Sequence, residues 1–160
     1  MSSSGLALKI PPPMLAVLAG AAMYASARAT PWGPVGGELV HADVRREAGL
    51  AFFAVGIAVG VGAVGQFLAR GASVAPHAPA KTRTLVTGGL YRWSRNPMYL
   101  ALGLCLAGYA ARLGEPLALV CLAGFVAAAN ELQIKPEEAI LEEKFGEAYR
   151  DYKRRTRRWI

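Results

Sequence analysis

A long apolar segment is the feature that most constrains the fold of this chain. Residues 48–68 form a run of 21 positions in which only Gln66 is polar. A helix rises by about 1.5 Å per residue, so this run is long enough to cross a hydrocarbon core of about 30 Å. No Asp or Glu occurs between Glu47 and Glu115, and 54% of the 160 residues are hydrophobic. This composition is too apolar for a soluble domain of this length and predicts a membrane protein.

Three further apolar segments extend the prediction to four transmembrane helices. The first one ends in an Ala-Ser-Ala sequence that resembles a signal-peptide cleavage site, but the weak charge before it and the spans after it favour an uncleaved helix. Pro97 and Pro116 each suit the first position of a helix, and the last two spans are therefore expected to form a helical hairpin. We expect one membrane-embedded domain over residues 1–160, with spans at about 14–29, 48–68, 97–112 and 116–134.

The C-terminal region has a different periodicity. Leu141, Phe145, Tyr149 and Tyr152 recur at spacings of four, four and three, with charged residues between them. This pattern predicts an amphipathic helix at about residues 136–153, whose apolar stripe we expect to cover the cytoplasmic face of the protein itself, since its carboxylates would be repelled by anionic lipid. The predicted fold class is an all-α integral membrane protein with four transmembrane helices and a C-terminal amphipathic cytoplasmic helix.

The basic residues indicate orientation and partners. The loop between the second and third spans contains no acid and five basic residues, Arg70, Lys81, Arg83, Arg92 and Arg95. By the positive-inside rule this loop lies in the cytoplasm, and with four spans both termini lie there too. The net charge of +7 is assigned to contact with membrane lipids and not with nucleic acid, because no nucleic-acid-reading motif accompanies it.

The sequence predicts no metal site and no disulfide. Cys105 and Cys121 both lie in apolar runs and are interpreted as small packing residues. His41 and His77 have no partners at the spacing of metal ligands.

Residues 85–99 form an unusually polar connection between apolar segments. Asn96 followed by Pro97 predicts a helix start, in which the Asn side chain accepts a hydrogen bond from a first-turn N–H. The free N–H groups of that turn, together with Arg92 and Arg95, would form a place for a carboxylate or a phosphate.

Three glutamates at the end of the fourth span are candidates for chemistry. Glu131 is a candidate base or substrate anchor, because an acid near the end of a span is costly unless it is used. It is equally an ion-pair partner for Lys135 at i, i+4. Glu137 and Glu138 either interact with the dipole of a helix that starts near Pro136 or contact a ligand.

Taken together, these groups match the parts of S-adenosylmethionine. A helix start with arginines suits its carboxylate, a glutamate suits its ammonium, and tyrosine faces suit its sulfonium. A glycine-rich backbone can approach the adenine closely.

Two motifs then make a family resemblance specific. Thr84 to Tyr91 followed by Arg95 to Tyr99 resembles the pattern L-V-x-x-G-x-Y-x-x-x-R-[HN]-P-x-Y of the isoprenylcysteine carboxyl methyltransferase and phospholipid methyltransferase superfamily. Glu137 to Tyr152 resembles the tail of the same signature, E-E-x-x-L-x-x-x-F-G-x-x-Y-x-x-Y. The resemblance covers about residues 71–160 and is closest to the small prokaryotic members, which implies an inner-membrane location.

The resemblance implies an S-adenosylmethionine-dependent methyltransferase that acts at the cytoplasmic membrane face. The acceptor would be a small lipophilic or lipid molecule with a carboxylate, amine, thiol or hydroxyl nucleophile. Glu131 and Arg95 are the candidate catalytic residues. The candidate cofactor-binding residues are Arg83, Thr84, Leu85, Val86, Gly89, Tyr91, Asn96, Pro97, Met98, Tyr99, Glu137 and Glu138. The competing hypotheses are a non-catalytic or transport-type four-span protein and a nicotinamide-dependent reductase of the same superfamily.

Overall fold

Helices make up all the regular structure of the residues that the computed structural model describes, which are 11–29, 40–69 and 84–160. In chain order, the elements are α1 (Pro12–Ala29), α2 (Ala42–Ala69), a 3₁₀ turn (Gly89–Arg92), α3 (Pro97–Leu113), α4 (Pro116–Ala129), a π-helical turn (Asn130–Ile134), α5 (Lys135–Phe145) and α6 (Glu147–Arg155). The predicted all-α class is therefore confirmed for the described part of the chain.

Prolines define where α3 and α4 begin. Pro97 and Pro116 each occupy the start of their helix, where the missing N–H donor is not needed. Between them, α3 ends at Leu113, and the N–H of the next residue, Gly114, donates to the carbonyl of Ala110 over 3.0 Å. These two local signals produce the predicted hairpin at the predicted position.

The helix that begins at Pro116 runs further than predicted. It continues through the π-helical turn to Phe145 as one helix of 30 residues. A wider helical turn precedes Pro136, which cannot donate a main-chain hydrogen bond. The predicted boundary near residue 134 is therefore absent from the backbone.

Within the described residues, two helices are long and apolar enough to cross a membrane, namely Ala42–Ala69 and Pro116–Phe145. Helix α3 is apolar but shorter, with 17 residues. The four-span arrangement, which also needs α1 and α3 to cross, stays a prediction.

The helices pack as a bundle in which α2 lies along α3, and α1 lies against α3 and α4. One buried cluster, with Met23, Leu106 and Phe125 among its members, joins α1, α3 and α4. Several large apolar residues of α2 remain exposed, including Phe52 and Phe53. Such a surface is unusual for a protein in water and fits contact with lipid.

The C-terminal region differs from the single helix that the periodicity predicts over residues 136–153. Gly146 has φ +52°, which a residue with a side chain rarely adopts, and it separates α5 from α6. Tyr149 and Tyr152 are nevertheless buried in a second cluster with Val86 and Tyr91. The apolar stripe therefore packs onto the protein itself.

Candidate functional site

A cavity of about 840 Å³ lies between α2, α3, α5, α6 and the segment before α3. Its volume is in the range of small-molecule binding sites. One end is polar and includes two acids and an arginine, whereas the wall formed by α2 and α3 is almost entirely apolar.

The structure brings most of the predicted site residues to this one cavity. The predicted residues that line it are Thr84, Leu85, Val86, Tyr91, Arg95, Asn96, Pro97, Met98, Tyr99, Glu137 and Glu138. The segment before α3 and the glutamate pair, which are about 40 positions apart in sequence, thus face a common space. Arg83 lies outside the described residues.

Gly89 is not among the cavity-lining residues. Its φ is +61°, and a Cβ at this position would collide with the side chain of Gln66. The Gln66 Oε1 atom accepts a hydrogen bond from the N–H of Leu90 over 3.0 Å. Gly89 therefore allows the 3₁₀ turn to attach to α2, and its position does not support the predicted contact with the cofactor.

Glu131 is also placed away from the cavity. Its side chain is 60% exposed, and its Oε1 lies 2.5 Å from the Lys135 Nζ atom in an i, i+4 ion pair. This arrangement corresponds to the structural alternative for Glu131. The candidate role of base or substrate anchor at the cavity is not supported by the geometry.

Asn96 begins α3, but its side chain does not cap the helix. The Nδ2 group donates instead to the carbonyl of Arg158 over 3.1 Å. The predicted capping hydrogen bond is therefore wrong, although the predicted helix start at Pro97 is correct. The Asn96 side chain is hydrogen-bonded to the C-terminal tail, and the spacing of residues in the sequence does not predict this contact.

A buried charge cluster lies at the polar end of the cavity. Arg95 donates through Nη2 to Glu138 Oε1 over 2.7 Å, and Arg158 donates through Nη2 to Glu138 Oε2 over 2.7 Å. The side chains of Arg95 and Glu138 are only 10% and 8% exposed. The hydrogen bonds to Glu138 raise the pKa of Arg158 above its ordinary value. Two guanidinium groups thus share one carboxylate.

Glu137 is in a different environment from its neighbour. The hydroxyl of Tyr99 donates to Glu137 Oε1 over 2.8 Å. Among the residues that the structure describes, no Lys or Arg forms an ion pair with Glu137. A partly buried carboxylate that lines a cavity without a cationic partner is suited to a cationic ligand group.

Tyrosines form much of the remaining polar wall. The Tyr152 hydroxyl donates to the carbonyl of Tyr91 over 2.6 Å, which ties α6 to the 3₁₀ turn. Burial raises the pKa of both tyrosine hydroxyls above their ordinary value, so both stay neutral at physiological pH. Neutral tyrosine rings beside a cavity offer electron-rich faces to a cation.

Sequence reasoning missed two parts of this site. One is the wall of α2, where Gly56, Gly60 and Val64 line the cavity at intervals of four residues. This helical spacing was a usable signal, because residues at i and i+4 share one face. The other part is Arg158, which was not among the predicted site residues but contacts Glu138.

The profile of the phospholipid methyltransferase family matches residues 44–148. The chain belongs to the phospholipid methyltransferase family. Membership implies methyltransferase activity in general and, together with the two long apolar helices, a membrane protein.

This phospholipid methyltransferase family member also resembles an uncharacterized protein of Haemophilus influenzae. The two are 44% identical over 63 residues, which are 39% of this chain and 100% of the relative. No solved structure matches this family member. The matched family region contains both groups of cavity residues, 84–99 and 137–138, whereas Arg158 lies beyond it.

Proposed function

We propose that this family member transfers a methyl group from S-adenosylmethionine to a small lipophilic or lipid acceptor at the cytoplasmic face of the membrane. The observation that carries the proposal is that a single cavity combines a charged end with an apolar wall. The charged end suits a zwitterionic cofactor, and the apolar wall suits an acceptor from the bilayer.

The residues at the charged end fit the cofactor's groups by their chemistry. Arg95 and Arg158 together exceed the charge of Glu138 by one, so the cluster retains a positive charge for the cofactor's carboxylate. Glu137 is suited to the ammonium, since it has no cationic partner within the described residues. The rings of Tyr91 and Tyr99 line the same cavity and suit the sulfonium.

The acceptor is assigned to the apolar wall. Ile57, Val61 and Leu68 of α2 line the cavity and are also exposed at the protein surface, by 51%, 68% and 60%. The apolar side of the cavity therefore borders the surface that fits contact with lipid. This position supports access for a lipophilic molecule from the bilayer.

When bound, S-adenosylmethionine supplies an electrophilic methyl group. The chain's own contribution is to hold the two reactants in line and to exclude water with its apolar wall. A base is required only for an acceptor nucleophile that is protonated. The nucleophile remains a carboxylate, amine, thiol or hydroxyl in this proposal.

The proposed topology has four spans, with both termini on the cytoplasmic side of a prokaryotic inner membrane. The basic residues that follow α5, of which Lys153, Arg154 and Arg155 end α6, support this orientation through the positive-inside rule.

Calorimetry with S-adenosylhomocysteine and detergent-purified protein tests the proposal. We expect saturable binding that weakens by about tenfold in Glu137→Gln, since a charge-assisted hydrogen bond to the ammonium is lost. Glu131→Gln is the matched control, because it removes a carboxylate from the same helix outside the cavity, and it should bind like the parent. Absence of binding by the parent, or equal weakening in both variants, would contradict the assignment.

Membranes incubated with methyl-labelled S-adenosylmethionine test the acceptor class. The lipid extract should become labelled when the parent protein is present, and the label should be clearly reduced when Glu137→Gln replaces it at a subsaturating cofactor concentration. A shift of reduced-nicotinamide fluorescence on titration, without any labelled lipid, would instead favour the reductase hypothesis.

A further inference from the structure

The C-terminal tail after α6 crosses the start of α3. The N–H of Arg95 donates to the carbonyl of Arg157 over 3.0 Å, and the carbonyl of Arg158 accepts from both Ser94 Oγ and Asn96 Nδ2. Arg95 also donates through Nη1 to the carbonyl of Thr156 over 2.5 Å. We name residues 156–159 the strap. It fixes both the main chain and the side chain of Arg95.

The far end of the strap is fixed as well. Trp159 donates through Nε1 to Asn130 Oδ1 over 3.2 Å, at the π-helical turn. Trp159 also packs against the cluster that joins α1, α3 and α4. The strap is therefore held on both sides of Arg158, whose side chain is directed to Glu138.

The two arginines bind Glu138 unequally. Arg158 contacts both oxygens of the carboxylate, through Nε to Oε1 over 3.1 Å and through Nη2 to Oε2. Arg95 contacts Oε1 alone. Arg95 lines the cavity, whereas Arg158 does not. Arg158 thus binds the Glu138 carboxylate without lining the cavity. The cluster keeps one excess positive charge, and Arg95 is the arginine that faces the cavity.

We propose that Arg158 is a positioning residue that keeps Arg95 available to an anionic group in the cavity, the cofactor's carboxylate. Without Arg158, Glu138 and Arg95 would form a neutral pair with no charge to spare for a ligand. This inference rests on the proposed function and adds to it a residue outside the matched family region.

A pair of ligands that differ only in the carboxylate separates this role from general bracing. The pair is S-adenosylhomocysteine and its decarboxylated analogue, which keeps the adenosine and the ammonium. By calorimetry the parent should prefer S-adenosylhomocysteine by about tenfold, which is the usual strength of a charge-assisted contact. Arg158→Gln should lose most of this preference while its affinity for the analogue changes by less than about twofold.

Two further variants complete the experiment. Arg158→Lys keeps the charge but lacks the forked contact, so its preference should lie between those of the parent and Arg158→Gln. Arg154→Gln is the matched control, because Arg154 is an exposed arginine of the neighbouring α6 that pairs with Glu147. It should retain the parent's preference. Should Arg158→Gln fail to fold, Arg158→Lys carries the test, and a preference equal to the parent's would overturn the inference.

The remaining outcomes distinguish the two proposals. If the parent binds both ligands equally, the role of Arg158 is overturned but the proposed function is not. The same conclusion follows if Arg158→Gln weakens the binding of both ligands equally. A parent that binds neither ligand overturns the proposed function together with the inference. Thermal unfolding of the ligand-free variants should show similar midpoints for Arg158→Lys and the parent.

Discussion

The two ends of the cavity are built on different principles. At the polar end, Arg95, Glu138 and Arg158 form a network in which individual hydrogen bonds fix each charged side chain. At the apolar end, α2 and α3 contribute glycines and aliphatic side chains such as Gly60 and Val64, with no polar contact to fix them. The polar end therefore depends on the identity of a few atoms, whereas the apolar end depends on the space that remains between two helices.

This difference predicts which substitutions change stability and which change only the reaction. A buried charge cluster is sensitive to the loss of one partner, because the others remain unpaired in a poorly solvated place. A cavity wall that binds no specific group is sensitive to added volume. Four substitutions, from the largest expected effect to the smallest, test this distinction.

Glu138→Ala should have the largest effect. It leaves Arg95 and Arg158 facing each other, and breaking a buried ion pair in this way costs about 3–5 kcal/mol of stability. Unfolding of the purified protein in mixed micelles measures the loss. The control is Glu142→Ala on the same helix, whose partner Lys153 is more exposed, and about 0–1 kcal/mol is expected there. Equal losses would mean that the polar end is not a distinct structural unit.

Val64→Phe tests the apolar end. The larger ring takes up space that the acceptor needs, so labelled methyl transfer to lipid should fall at least about tenfold, while the affinity for S-adenosylhomocysteine stays at the parent's value. Val55→Phe on the same helix is the control, since Val55 is 52% exposed and is not among the lining residues. If Val64→Phe weakened cofactor binding instead, the two ends could not be treated as separate subsites.

Tyr99→Phe removes one hydrogen bond at the polar end. Glu137 then loses the donor at 2.8 Å, and we expect a loss of about 1–2 kcal/mol in the free energy of unfolding. Tyr109→Phe in the same helix is the matched control, because Tyr109 does not line this cavity. A smaller loss of unfolding free energy for Tyr99→Phe than for Tyr109→Phe would show that the hydrogen bond to Glu137 does not stabilise the fold.

Glu131→Gln should have the smallest effect. Its ion pair with Lys135 is exposed, and such pairs contribute about 0–0.5 kcal/mol. Stability and methyl transfer should both stay within error of the parent. A clear loss of methyl transfer in this variant would restore Glu131 as a catalytic candidate and move the reaction away from the cavity.

The sequence was most informative where the signals are local. The positions of Pro97 and Pro116 predict the starts of α3 and α4, and the two motifs predict that residues 84–99 meet Glu137 and Glu138. Such signals are carried by neighbouring residues, so they can be recognised without knowing how the chain folds back on itself.

The sequence was least informative where distant segments meet. Asn96 is a residue type that often caps a helix, but its side chain donates to the carbonyl of Arg158 in the C-terminal tail instead. The apolar periodicity continues on both sides of Gly146 and therefore predicted one helix. The positive φ of Gly146 divides that helix in two. The role of Arg158 depends on the path of the strap, which no spacing rule encodes.

Photo-crosslinking with labelled S-adenosylmethionine tests the central claim most directly, because it reports which part of the chain touches the cofactor. We expect saturable labelling, blocked by S-adenosylhomocysteine, in peptides that contain residues 84–99 or 137–152. Labelling confined to the opposite end of the bundle, around Arg112 to Pro116, or no saturable labelling at all, would contradict it.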